Sequence, residues 1–250
     1  MSRSQKRVYK YISFAFTCLN GIAGILGIYY AIIGDIFWPL KMIIIGAGFD
    51  FLDGYFAKRS QQYSLYGAYM DSIADAITYV CVPSFFLIFS EQNSPSDPQW
   101  MDGFILLVSL FYMICGSYRL IRFVRNSPKT YFEGLPTSIA ALVVGSLIVL
   151  IMTTPSELSF LFNNRIIIVL IIIAISLLMI THLKYPSHIS YSSFFKFLRG
   201  IGYLIIGSFF ILSNFWTVLC VFSFFCIYII FGPVYMNKIC LHLNFELNES

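Results

Sequence analysis

Charge is what this sequence has least of. Only 11% of its 250 residues are Asp, Glu, Lys or Arg, and 58% are hydrophobic. Soluble domains are about a quarter charged, so the composition excludes a water-exposed globule. It points to one polytopic membrane domain of several helices. Histidine is scarce too, and His182, His188 and His242 have no metal-ligand spacing; they read as interfacial side chains. The six cysteines are scattered through apolar runs with no Cys-x2-Cys pair. That spacing argues against a disulfide framework or thiolate metal site and leaves them as packing residues. No internal repeat is visible. No small-residue cleavage site follows the first long apolar run, so no cleavable signal is expected. The basic residues are dispersed over separate segments, which excludes a nucleic-acid-binding patch.

Against this scarcity, four of the seven aspartates fall within DFLDGYFAKRSQQYSLYGAYMDSIAD, from Asp50 to Asp75. A carboxylate inside a membrane costs several kcal/mol unless it is paired or metal-bound. Asp50 and Asp53 are three apart and share a helix face, which Gly54 and Ala57 continue with little side-chain volume. Gly67, Asp71 and Asp75 are spaced by four and form a second stripe. The polar connector between them, Lys58 to Tyr66, makes the two helices antiparallel neighbours whose carboxylates converge. An all-oxygen donor set suits Mg²⁺ or Mn²⁺, and Mg²⁺ held this way usually also binds substrate phosphates.

The apolar runs predict an all-α transmembrane bundle of about eight spans, near 11–33, 36–57, 64–89, 104–124, 138–153, 166–183, 201–212 and 215–235. Residues 1–10 form a basic interfacial arm, 11–236 the transmembrane domain, and 237–250 a tail without clear periodicity. The seventh span is short and is expected to begin before Gly200 or to tilt little, and Pro83 is a candidate kink in the third. With both termini in the cytosol, fourteen of the sixteen lysines and arginines lie on the inner side, Lys41 and Arg165 being the exceptions. The aspartates then sit at the cytosolic ends of spans two and three. In GSYRLIRFVRN, Arg119 and Arg122 share a face, and Arg125 reads as a positive-inside anchor. A bare guanidinium at the depth of Arg119 is costly, so the pair is a candidate receptor for an anionic acceptor. Arginine takes carboxylates bidentately and phosphates equally well.

The pattern Asp50-x2-Asp53-Gly54-x2-Ala57-Lys58-x8-Gly67-x3-Asp71-x3-Asp75 resembles the signature of the CDP-alcohol phosphotransferases, integral membrane enzymes of phospholipid synthesis. Lys58 stands where that pattern usually has arginine, and Arg59 follows at once. The runs MDSIADAITYVCVPS, YRLIRFVRN, FEGLPTS, LKYPS and FGP resemble, in order, the bacterial and archaeal phosphatidylserine synthase branch. The resemblance implies a multi-pass cell-membrane enzyme whose active site faces the cytosol. It would move a phosphatidyl group from CDP-diacylglycerol to L-serine with Mg²⁺ or Mn²⁺, release CMP, and work as a homodimer. It implies Asp50, Asp53, Asp71 and Asp75 as metal ligands and Asp75 as the general base. It also implies CDP-lipid binding by Thr17, Asn20, Asp53, Gly54, Ala57, Lys58 and Gly67. Arg119 and Arg122 would bind the acceptor. Glycerol phosphate, inositol phosphate or inositol are alternative acceptors. A cation-coupled transporter is the reading from a different class.

Overall fold

The computed structural model describes residues 3–60, 65–91, 99–126, 131–155, 165–186 and 193–248. The connector residues Gln61 and Gln62 and the side chains of Lys129, His188, Lys196, Arg199, Lys238 and His242 lie outside what is described. The described elements are α1 (Arg3–Ile33), α2 (Trp38–Ser60), α3 (Leu65–Asp75), a π-helical stretch (Ala76–Cys81), α4 (Val82–Glu91) and α5 (Gln99–Asn126). Then follow β1 (Tyr131–Glu133), α6 (Thr137–Thr153), α7 (Arg165–Ile180), β2 (Lys184–Pro186), α8 (Ser193–Leu212) and α9 (Phe215–Asn248). Four helical segments are long and apolar enough to cross a membrane: Gln5–Ile33, Tyr66–Ser90, Met101–Arg125 and Phe215–Tyr235. This is an all-α membrane protein.

Local chemistry explains the joints. Gly34 adopts a left-handed φ of 85° after α1, a conformation open to glycine. Asp35 Oδ1 then accepts the backbone N–H groups of Phe37 and Trp38, capping α2. Pro39 sits in the first turn of α2, where its missing N–H costs nothing. Between α8 and α9, Asn214 caps by accepting the N–H of Thr217 at 3.0 Å. α8 starts at Ser193, ahead of Gly200, and α9 carries its helix through Pro233 to Asn248. The basic segment from Arg3 to Lys10 forms the first turns of α1.

Pro83 produces a π-helical stretch in place of a simple kink. The Val82 N–H reaches back five residues to the Ile77 carbonyl, the wider helical turn that favours functional sites. Pro83 has no N–H for the Tyr79 carbonyl four residues earlier. The buried Tyr112 hydroxyl donates to that carbonyl at 3.0 Å instead.

α6 is the centre of the packing. Its residues are apolar on every side, so the helix must be enclosed. α2, α4, α7 and α9 contact it, and twelve of its residues from Thr137 to Leu150 are buried. The outward residues of α1 and α5, among them Ile22, Ile25, Tyr29, Leu107, Ile114 and Ile121, leave an apolar exterior. The described cysteines Cys18, Cys81, Cys115, Cys220 and Cys226 are free.

One feature lies outside the helical pattern. β1 and β2 pair antiparallel, Phe132 opposite Tyr185 and Glu133 opposite Lys184. The FEGLPTS and LKYPS segments, expected as connecting loops, thus form a small clasp.

Candidate active site

Three helices converge at one end of the bundle. The contacts of α1 with α2 run in opposite residue order: Ser13 Oγ donates to the Asp53 carbonyl, while a Cβ on Gly46 would lie 2.8 Å from Asn20 Oδ1. The two helices are therefore antiparallel. The contacts of α1 with the third rod run in the same order, Gly21 against Ala74 and Gly24 against Thr78. A Cβ at Gly24 would fall 2.6 Å from Thr78 Oγ1 and 2.9 Å from the Thr78 nitrogen. Only a bare α-carbon allows that approach.

This packing gathers the acidic groups. Asp50, Asp53 and Asp71 each offer a carboxylate oxygen, all within 4.8 Å of one another. Asp75 stands outside that triad, within electrostatic reach of Asp50 and Asp71. The walls hold three of the four carboxylates. Thr17 Oγ1 donates to Asp53 Oδ2 at 2.8 Å. Asn20 Nδ2 donates to Asp75 Oδ1 at 3.0 Å. The Tyr79 hydroxyl approaches Asp50 Oδ2 at a long 3.5 Å. Asn20 is itself anchored, because Thr78 Oγ1 donates to its backbone carbonyl at 2.9 Å.

Asp71 is different: its Oδ1 is buried and has no hydrogen-bond partner among the described residues. Two carboxylates 4.8 Å apart repel by about 3.5 kcal/mol at an effective dielectric near 20. A buried acceptor without a donor adds a further desolvation cost. A divalent cation answers both, since it is the counter-charge for the triad and the missing partner for Asp71. The residues present fit such an ion, and the oxygen-only donor set suits a hard one.

Residues 11–229 match the family model for CDP-alcohol phosphatidyltransferases. The chain belongs to that family.

Among relatives, it is 29% identical over 196 residues to a CDP-diacylglycerol–serine O-phosphatidyltransferase of Methanocaldococcus jannaschii, a match covering 78% of this chain and 84% of that one. It is 30% identical over 188 residues to an archaetidylserine synthase of Methanothermobacter thermautotrophicus, covering 73% of each. It is also 30% identical over 178 residues to a CDP-diacylglycerol–serine O-phosphatidyltransferase of Bacillus subtilis, covering 70% of this chain and 90% of that one. The aspartate motif lies within the matched residues.

The remaining motif positions lie on α2 and α3 with the carboxylates. A Cβ on Gly54, next to Asp53 in sequence, would meet nothing within 4 Å, so the space at that α-carbon is open. Gly67 is half-buried, and Ala57 and Lys58 are exposed at the end of α2. Arg59 is exposed and lies over the Tyr55 ring at 4.7 Å. Thr17 and Asn20 are buried and donate to Asp53 and Asp75, with Thr17 also reaching the Ser13 carbonyl.

Arg119 and Arg122 share a face of α5 but have different surroundings. Arg119 is 6% exposed, donates to Thr137 Oγ1 at 3.2 Å, and lies within electrostatic reach of Asp75 and Asp50. Arg122 spends its guanidinium on four backbone carbonyls: Ile180 at 2.7 Å, Glu133 at 2.9 Å, Thr181 at 3.1 Å and Met179 at 3.3 Å. It ties the end of α7 to the β-clasp. Gly134, with φ of 74°, leaves room there, since a Cβ would fall 2.7 Å from Arg122 Nη2. Arg122→Gln strands several of these carbonyls. We expect a loss of about 3 kcal/mol, seen as a lower melting temperature in detergent.

Four residues of the site were not singled out from the sequence: Ser13, Thr78, Tyr79 and Thr137. The available signal was a hydroxyl in each of these apolar surroundings, which must find a partner when buried.

Proposed function

We propose that this enzyme transfers the phosphatidyl group of CDP-diacylglycerol to the hydroxyl of L-serine, yielding phosphatidylserine and CMP. The observation that carries this reading is the division of labour among the acidic groups: three converging carboxylates, one with an orphaned oxygen, beside a fourth held apart by Asn20. Asp50, Asp53 and Asp71 would hold Mg²⁺ or Mn²⁺, which when bound neutralises pyrophosphate charge and the departing CMP. Thr17 fixes Asp53 and Tyr79 faces Asp50, so the donor set is oriented before substrate arrives. The open space beside Gly54 admits the nucleotide against bare backbone, with Ala57, Lys58 and Gly67 at its edge.

Asp75 is the general base in this account. Asn20 holds its Oδ1, and its other oxygen takes the acceptor's hydroxyl proton. The acceptor oxygen attacks the lipid-bearing phosphorus as the bond to CMP breaks. Arg119 receives the acceptor's carboxylate, its guanidinium lying within electrostatic reach of Asp75 and Asp50. Arg122 keeps that wall in place. The lysine and arginine distribution supports eight spans, cytosolic termini and a cytosol-facing site in the cell membrane. The apolar outer faces are compatible with a homodimer.

The test is an acceptor panel with purified enzyme, CDP-diacylglycerol and a divalent cation. L-Serine is expected to give CMP and phosphatidylserine in equal amounts. Transfer to glycerol 3-phosphate or inositol phosphate but not to serine would overturn the acceptor assignment.

A further inference from the structure

Tyr185 is fully buried, and its hydroxyl has no hydrogen-bond partner among the described residues. A buried phenol normally finds one. The ring is packed on purpose-built neighbours: it stacks on Tyr228 with centroids 6.0 Å apart and sits opposite Phe132 in the clasp. Phe132 in turn lies over the Arg119 guanidinium at 6.0 Å, and Phe123 lies over it at 5.3 Å. Tyr228 is within electrostatic reach of both Tyr185 and Arg119. Arg119 has five N–H donors and one hydrogen bond among the described residues, to Thr137. Among the described residues, a guanidinium with one hydrogen bond and a hydroxyl with none therefore share two aromatic neighbours, Phe132 and Tyr228.

We propose that Tyr185 is a specificity-determining residue that binds the acceptor alcohol together with Arg119. The ligand class is a small alcohol bearing a carboxylate. Arg119 takes that carboxylate through its free N–H groups, and the Tyr185 hydroxyl donates to it from the clasp. Both donors are buried before binding, so the acceptor's anionic group supplies the acceptor oxygens they lack. The inference rests on the reading that Arg119 binds the acceptor, and it adds a second donor that makes this binding selective.

The test is Tyr185→Phe in the full-length enzyme, with separate KM values for L-serine and CDP-diacylglycerol and a melting temperature. The serine KM is expected to rise roughly five- to tenfold, the size of one lost hydrogen bond. The KM for CDP-diacylglycerol and kcat at saturating serine should stay within twofold. The melting temperature should hold or rise, since the variant removes an unsatisfied buried hydroxyl. A parallel fall in both substrates' affinities with a lower melting temperature would make Tyr185 merely structural. An unchanged serine KM would also overturn the proposal. If the wild-type enzyme ignores serine but uses another anionic alcohol, the acceptor assignment falls by itself. The same KM ratio measured with that alcohol then decides Tyr185.

Discussion

Asp75→Asn is expected to lower turnover by about 10²- to 10⁴-fold, the range for losing a general base, while the protein stays folded. The prediction follows from how Asp75 is held. Asn20 Nδ2 donates to its Oδ1 at 3.0 Å, and the carbonyl oxygen of an asparagine can accept the same bond. The variant also relieves like-charge repulsion from Asp50 and Asp71. Structure and cation affinity should thus survive while the proton acceptor is lost. CMP release at saturating serine, CDP-diacylglycerol and Mn²⁺, together with the melting temperature, checks this. Full turnover in the variant would remove Asp75 from the base role. A collapsed melting temperature would assign it to the scaffold.

Asp71→Ala carries the second large effect, with a different signature. Its Oδ1 is the buried oxygen without a donor, and it is one of the three carboxylates within 4.8 Å. Without metal, removing it relieves repulsion and a desolvation cost, so the variant should melt no lower than wild type. Wild type should gain stability on adding Mn²⁺, about 2.7 kcal/mol at a hundredfold excess over Kd. The variant should lose most of that gain. Turnover should fall on the order of 10³-fold, matching several kcal/mol of lost charge stabilisation. An undiminished Mn²⁺ shift in the variant would contradict the assigned donor set. Asp53 is less clean for this test, because its carboxylate also accepts the Thr17 hydroxyl.

The helical stripes were legible because periodicity maps directly to a face. Asp50 with Asp53, and Asp71 with Asp75, share helix faces by spacing, and the fold brings Asp71 to Asp50 and Asp53 while Asp75 stands outside that triad. What periodicity cannot give is the identity of a neighbour across a helix pair. Thr17 faces Asp53 through the antiparallel register of α1 on α2, and Asn20 faces Asp75 through the parallel register of α1 on α3. Arg119 and Arg122 share a face by spacing, yet one looks toward the carboxylates and the other caps α7. That difference is set by where α7 ends and the clasp begins. The clasp itself is only three residues per strand, too short for an alternating pattern to show. The π-helical stretch was likewise hidden, because Pro83 tells that a donor is missing but not how the helix absorbs it.

The most direct test uses purified enzyme in lipid with CDP-diacylglycerol and labelled L-serine, with and without Mn²⁺, counting CMP and labelled lipid. Equal amounts of both products are expected with the cation, and none above background under chelation. Undiminished turnover under chelation, or cation binding that needs neither Asp50 nor Asp71, would contradict it.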